Sequence, residues 1–521
     1  MSASREKKTR QEQVSSGWTD PKTAREAEQR KQERRSNILY GIIGVVFAIA
    51  VVVTVVWRSN IIPKMSTAVT IDGEKYTAAE VNFYYQNAYQ NTVNTLYSYG
   101  MLSYAGLSAT TSLKEQTVSA MGASFTGATE GDTWHDAFLN LALDQMAAVQ
   151  SALNAAKAEG FTYPAGVQAQ YDDSIASLEA AAKASNLSVS QYLKNTFGAT
   201  MSKGVYEAQL LRLLQYDAYT SAHENGLTYS DSEINAAYDA DPNSYDKVAY
   251  EYVTISGAAE STQDAEGNTV EPTEEESAAA KEAAKAAADK LLADYRAGGD
   301  LEALAKAIDA TYTNLDAGTY ASSDLIDWAF NASRKSGDSA VVESGTSYYV
   351  AVFHDRFRDD YNTIDVRHIL VPLGTATLSE GDEGYEEEQA QLKADAKAKA
   401  DELLAQWQSG DATEESFAAL AMQESTDGSK YDGGLYTEVY QGQMVETFND
   451  WCFDAGRKSG DTGVVETQYG AHVMYFVGEN LPRWQSQVVS DLKDADYTEW
   501  VESLSADSSV TRSDFGMKFV G

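Results

Sequence analysis

Two stretches about 100 residues apart decide how this chain folds: Val366-Arg367-His368-Ile369-Leu370-Val371, and Gln441-Gly442-Gln443-Met444 running on to Thr467-Gln468-Tyr469-Gly470-Ala471-His472. The first is an apolar run of strand length, and the second closes on another, Ala471 to Val477. Successive side chains of a strand point to opposite faces, so His368 shares a face with Val366 and Leu370, and His472 shares one with Met474 and Phe476. Each imidazole is thus expected on an apolar sheet face. A lone histidine there is ordinarily a satisfied core residue. The chain has five histidines, however, and two of them fall in these stretches.

The segments R-H-I-L-V, G-Q-M-V and T-Q-Y-G-A-H, in this order, resemble the parvulin (PpiC-type) peptidyl-prolyl isomerases over roughly 362 to 482. The resemblance implies a small antiparallel sheet flanked by helices, and catalysis without a cofactor or metal. It also implies that His368, Asp427 and His472 form the catalytic polar network, with Asp427 at the family's Asp/Cys position, and that Met444, Phe448 and Gln468 bind substrate. Met444 and Phe448 are four apart at the start of a short helix and would supply pocket wall. The chain departs from the family after Gly433-Gly434, where Leu435-Tyr436-Thr437 replaces D-L-G-x-[FW]; the aromatic wall is then absent or supplied by Tyr436 or Tyr440.

A repeat sets the domain plan. The run 325–343 matches 448–466 at 12 of 19 positions, including Asp327-Trp328 against Asp450-Trp451. Roughly even amino-acid usage gives about one match by chance. Two tandem copies of one domain follow, 246–358 and 360–482. The offset puts Tyr349 at the position of His472 and Ala321 at that of Met444, and strand alignment puts Glu251 at that of His368. The loop before the repeat is shorter in the first copy and has no counterpart of Asp427. The first copy reads as a degenerate parvulin-like domain kept for structure or client binding.

Residues 65–245 read as helical after a short strand at Ala68–Ile71 that turns at Asp72-Gly73. Capping boxes at Ser188-x-x-Gln191 and Ser230-x-x-Glu233 open two of the helices. This layout resembles the chaperone module of SurA/PrsA-type extracytoplasmic foldases. The segment 483–521 is expected to form a helix and strand that pack back on it. Partners implied are unfolded or newly secreted proline-containing polypeptides.

Ile38 to Trp57 is 20 residues without a charge. At 1.5 Å per residue it would span about 30 Å, the thickness of a bilayer core. A single transmembrane helix over 38–57 is expected, with the basic tail 1–37 in the cytoplasm and the bulk of the chain extracytoplasmic. A cleaved signal peptide is the competing reading, but the apolar run is longer than a signal's. The whole is an α+β chain: one N-terminal transmembrane helix, a helical SurA/PrsA-like module and two tandem parvulin-like domains.

The net charge of −38 excludes nucleic acid as a partner, since phosphate contacts need clustered Lys and Arg. The single cysteine, Cys452, cannot form an internal disulfide and reads as core packing. Asp239-x-Asp241-x-Asn243 begins like a calcium loop but lacks its glycine and bidentate glutamate. Two functions follow: a membrane-anchored prolyl isomerase that assists folding of secreted proteins, or a catalytically inactive holdase that binds unfolded clients.

Overall fold

The computed structural model describes residues 45–51, 54, 64–108, 110–264, 267–321 and 323–521. They fall into two compact units, one with residues up to 159 together with 174–213 and 504–521, the other with 160–173 and 214–503.

The membrane span expected over 38–57 is overturned. Among the described residues no helix is long and apolar enough to cross a membrane. Of that stretch only 45–51 and 54 are described, all helical. The rest of the stretch and the basic segment 1–37 lie outside the described residues. The single-pass placement, with a cytoplasmic N-terminus and an extracytoplasmic bulk, rested on that span and falls with it.

In the first unit, β1 (Thr67–Ile71) and β2 (Glu74–Thr77) form a hairpin. Its turn residues Asp72 and Gly73 have φ of 50° and 86°, the left-handed pair that suits the twist of a tight hairpin. Thr77 then caps the helix Ala78–Ser98 in a capping box with Glu80. Tyr85 and Tyr89 of that helix meet Phe138 of the helix Trp134–Glu159 edge-on, which buries an aromatic core around Trp134. The capping boxes at Ser188 and Ser230 are both formed, the first opening the helix Val189–Phe197 of this unit and the second the helix Asp231–Ala240 of the other.

The second unit holds two four-stranded antiparallel sheets built alike. In one, β3 (Lys247–Ser256), β6 (Thr311–Thr319), β7 (Ser339–Ser344) and β8 (Ser347–Phe357) run in the order β6-β3-β8-β7. A small hairpin, β4 (Thr262–Gln263) with β5 (Thr269–Val270), follows β3. In the other, β9 (Asn362–Pro372), β10 (Leu435–Val439), β11 (Thr462–Thr467) and β12 (Gly470–Pro482) run β10-β9-β12-β11, the same order.

Period two decides which side each β9 residue serves. On one face Ile369 packs with Ala471 and Val473 against Ala396, Ala400 and Leu403 of the long helix Tyr385–Ser409. On the other, Val366 packs with Met474 and Phe476 against Phe448 and Cys452 of the short helix Glu446–Cys452. Cys452 is buried there, and burial pushes its thiol up to about 12.

The registers correct one expectation. His368 pairs with Met474, and 123 residues earlier Ala351 pairs with Tyr252. Tyr252, not Glu251, therefore stands where His368 does. Both copies carry the same irregularity here, Tyr250 and Ala249 facing Phe353 and Asp355 as Val366 and Asp365 face Phe476 and Gly478, so Tyr252 aligns with His368, and a reading one residue off turns a side chain to the opposite face. The first copy accordingly has Tyr252 and Tyr349 edge-on at 5.7 Å in the place of the two histidines.

Candidate active site

His368 and His472 sit diagonally on neighbouring strands, since His472 pairs with Leu370 and Met474 with His368. Both are buried, at 1% and 5% exposure. Their ring centroids are 5.3 Å apart and their Nδ1 atoms 3.1 Å apart. Two facing nitrogens at that distance must share one proton, one donating and the other accepting.

The outer nitrogens continue the chain. His368 Nε2 lies 3.4 Å from Asp427 Oδ1 and 3.3 Å from Ser429 Oγ. His472 Nε2 lies 2.9 Å from Thr467 Oγ1. The donor and acceptor roles follow from the tautomers. One assignment that satisfies every ring nitrogen has Thr467 donating to His472, His472 donating from Nδ1 to His368, and His368 Nε2–H facing the Asp427 carboxylate and the Ser429 hydroxyl.

The electrostatics keep His472 neutral and Asp427 ionised. Burial and the neighbouring His368 lower His472 to about 4, against a weaker pull upward from Asp427. The hydrogen bond from His368 holds the Asp427 carboxyl well below the usual carboxylate range; burial opposes it, and the Ser429 hydroxyl and amide add to it. Tyr436 donates to Asp427 Oδ1 at 3.0 Å, and burial together with that carboxylate pushes its phenol up to about 12.

The loop carrying Asp427 is fixed at both ends. Ser425 Oγ accepts from the amides of Leu370 and Asp427 at 3.0 and 3.2 Å. Asp427 then caps the 3-10 turn Gly428–Asp432, accepting from the Ser429 amide at 2.8 Å and its hydroxyl at 2.6 Å. Beyond it Gly434, at φ 75°, offers its carbonyl to the His368 amide at 2.8 Å. A Cβ on Gly434 would stand 2.2 Å from the His368 carbonyl oxygen, so only glycine lets β9 and the loop meet there.

Above the imidazoles lies a cavity of about 350 Å³, within the range of small-ligand sites. Leu370, Met444, Val445 and Phe448 give it apolar walls, and Asp427 and Tyr436 a polar side. Phe448 stands edge-on to both imidazoles, at 5.5 and 5.4 Å. The structure thus gathers five of the six residues singled out from the sequence: His368, Asp427, His472, Met444 and Phe448.

Gln468 stays outside. It is exposed in the two-residue turn between β11 and β12, and Tyr469 and Gln443 line the cavity where it was expected. Of the two candidate aromatic walls Tyr436 is the one present, 4.7 Å from the His368 ring. Tyr440 lies instead under the Arg483 guanidinium at 3.9 Å. Thr467, the first residue of T-Q-Y-G-A-H, and Ser429, two residues after Asp427, were not singled out; their roles depend on loop geometry.

Residues 353–479 match the family model for the PPIC-type PPIASE domain. The matched residues, a PpiC-type domain by that model, make up about a quarter of the chain's length. No curated protein matches it. Among solved structures, a peptidylprolyl isomerase (PrsA) from Bacillus anthracis is similar at 20% identity over 31% of this chain and 60% of its own, with a TM-score of 0.18. PrsA from Bacillus subtilis is similar at 14% identity over 75% and 93%, with a TM-score of 0.27. A structure from a study of the SurA-like chaperones PEB4 and Cj1289 of Campylobacter jejuni is similar at 15% identity over 65% and 79%, with a TM-score of 0.15. The chain thus spans about three fifths of the length of the first of these relatives.

Proposed function

We propose that the domain 360–482 is a peptidyl-prolyl cis/trans isomerase that acts on proline-containing stretches of unfolded client polypeptides. One observation carries the reading: a chain Asp427–His368–His472–Thr467 runs beneath an apolar cavity of about 350 Å³.

Rotation about an X-Pro bond meets a barrier of roughly 18–20 kcal/mol set by amide resonance. As the amide twists, resonance is lost and its nitrogen becomes more pyramidal and basic. The site acts on this in two ways. Met444 and Phe448 hold the proline ring in an environment without water, which favours the less polar twisted amide. The imidazoles, whose four nitrogens all bond within the network, form a fixed polar floor beneath the cavity that holds the Asp427 and Thr467 side chains in place, so little reorganisation accompanies the twist. No bond forms or breaks.

Tyr252 and Tyr349 in the first copy support an inactive role there, in structure or client binding. The direct test is an X-Pro isomerisation assay on the full chain and on its His368→Ala/His472→Ala variant. Catalysis lost in the variant supports the reading. An inactive parent chain, or a variant as fast as the parent, would leave a holdase role in its place.

A further inference from the structure

The turn that carries the catalytic carboxylate is gripped from two sides. Toward the cavity, Asp427 and Ser429 meet His368 Nε2. The next two residues point away from the site. Lys430 pairs with Asp173, and the Tyr431 hydroxyl donates to the same carboxylate oxygen at 3.1 Å. Asp173 lies on the helix Ala165–Ala184, whose residues up to 173 belong to the same compact unit as the catalytic domain.

That helix approaches still more closely one residue into its first turn. A Cβ on Gly166 would stand 2.2 Å from the Tyr431 carbonyl oxygen, so the glycine supplies space for the contact. Within the turn, Asp427 caps the Ser429 amide and hydroxyl, the Lys430 amide donates to Asp427 O at 3.2 Å, and the Gly433 amide donates to Lys430 O at 3.0 Å and to Ser429 O. Beside it a cavity of about 440 Å³ separates Gly428, Tyr431 and Asp432 from Val167, Leu214 and Asp217, so side-chain packing does not brace the turn there. Its placement does reach the histidine strand, because the Gly434 amide donates to Ser429 O while Gly434 O accepts from His368 N, both at 2.8 Å.

We propose that Asp173, together with the close approach at Gly166, is a positioning element of the isomerase site. By holding Lys430 and Tyr431 it keeps the Asp427 carboxylate and the Ser429 hydroxyl within reach of His368. The inference rests on reading the site as an isomerase. The Asp173 side chain is 47% exposed and that of Lys430 22%. Ion pairs this open add little to global stability. Asp173 therefore acts on the geometry of one turn and not on whether the domain folds.

The test uses the full chain with Asp173→Ala, Asp173→Glu, and Asp173→Lys combined with Lys430→Asp. Asp173→Ala is expected to lower kcat for X-Pro isomerisation about five- to tenfold, the size of a coupling carried through contacts outside the site. KM and the melting temperature should not move. Asp173→Glu should restore most of the rate, and the reversed pair part of it. Independently of turnover, the His368 imidazole ¹⁵N signals should shift in Asp173→Ala. An unmoved imidazole signal overturns the proposal whatever the rate does, and so does a loss of rate that only tracks a lower melting temperature. A parent chain with no isomerase activity would defeat the functional reading, while the imidazole signals would still decide whether Asp173 positions the turn.

Discussion

The Nδ1 atoms of His368 and His472 lie 3.1 Å apart. At that separation only one of the two nitrogens carries a hydrogen, and a second proton would set two N–H groups against each other. The burial that lowers His472 to about 4 acts in the same direction.

The first expectation concerns stability and pH. His472 has a folded pKa of about 4 against an ordinary 6.5. Between those values the unfolded chain takes up a proton at this residue that the folded chain refuses. Stability therefore falls as pH falls from 6.5 toward 4, by at most about 1.4 kcal/mol per unit from this group. Asp427, held below 3.8, is almost wholly ionised in both states above pH 5 and adds little slope between pH 5 and 7. Urea midpoints at pH 7 and pH 5 should diverge more in the parent than in His472→Leu, and equal differences would refute the assignment.

Catalysis and client holding should separate at His472. Holding draws on apolar area, whereas isomerisation draws on interactions that strengthen as the amide twists. His472→Ala is expected to cut isomerisation about ten- to hundredfold, in the range for losing one preorganised polar group. Aggregation suppression by the same variant should stay near the parent value. Thr467→Val keeps the shape but removes the partner of His472 Nε2, and should produce a smaller loss in the same assay.

Phe448 has two roles that one substitution will expose together. It is buried at 3% exposure and touches both imidazoles edge-on. Phe448→Ala should lower stability by about 3–5 kcal/mol through the cavity it leaves. It should also weaken proline-peptide binding. Chemical denaturation and peptide titration report the two effects separately, and a variant as stable as the parent would remove Phe448 from the core.

Gly434→Ala is expected to be among the most damaging single-methyl additions in the domain. The new Cβ meets the His368 carbonyl at 2.2 Å in a backbone held at φ 75°. Left-handed strain alone costs about 1–3 kcal/mol, and the clash adds to it. Gly442→Ala shares a positive φ of 83° but has open space around it, so it isolates the strain. If the two variants melt together, the close approach at Gly434 is not what requires the glycine.

Much of the site was legible because strand period is rigid. Once Val366–Val371 and Ala471–Val477 were read as neighbouring strands, His368 and His472 had to share the face that Phe448 covers. The long helix at Tyr385–Ser409 was equally plain from its Ala/Lys/Glu-rich composition. What escaped depends on departures from regularity. Tyr252 was missed by one residue because the loops of the two copies differ in length, so the repeat's offset at 325–343 does not carry over to the first strand of each sheet. Gln468 falls in a two-residue turn whose side chains leave the ladder, so adjacency to His472 in sequence did not become adjacency in space. The membrane span was read from an uncharged composition alone, and among the described residues no helix is long and apolar enough to bear it out.

The pairing of β1 with the short strand β13 (Val510–Arg512), Val69 opposite Arg512, ties together residues more than 400 apart in the chain. Around it, Asn82 accepts from the Gly521 amide at 2.9 Å and donates to Phe519 O at 3.1 Å, and Gly516 packs so tightly on Thr67 that no side chain would fit. The β1 edge therefore stays open during synthesis until 510–512 are made, after every residue of the domain 360–482. A chain cut after residue 505 would keep all of 360–482 and leave the β1 edge exposed, the kind of template on which chains aggregate.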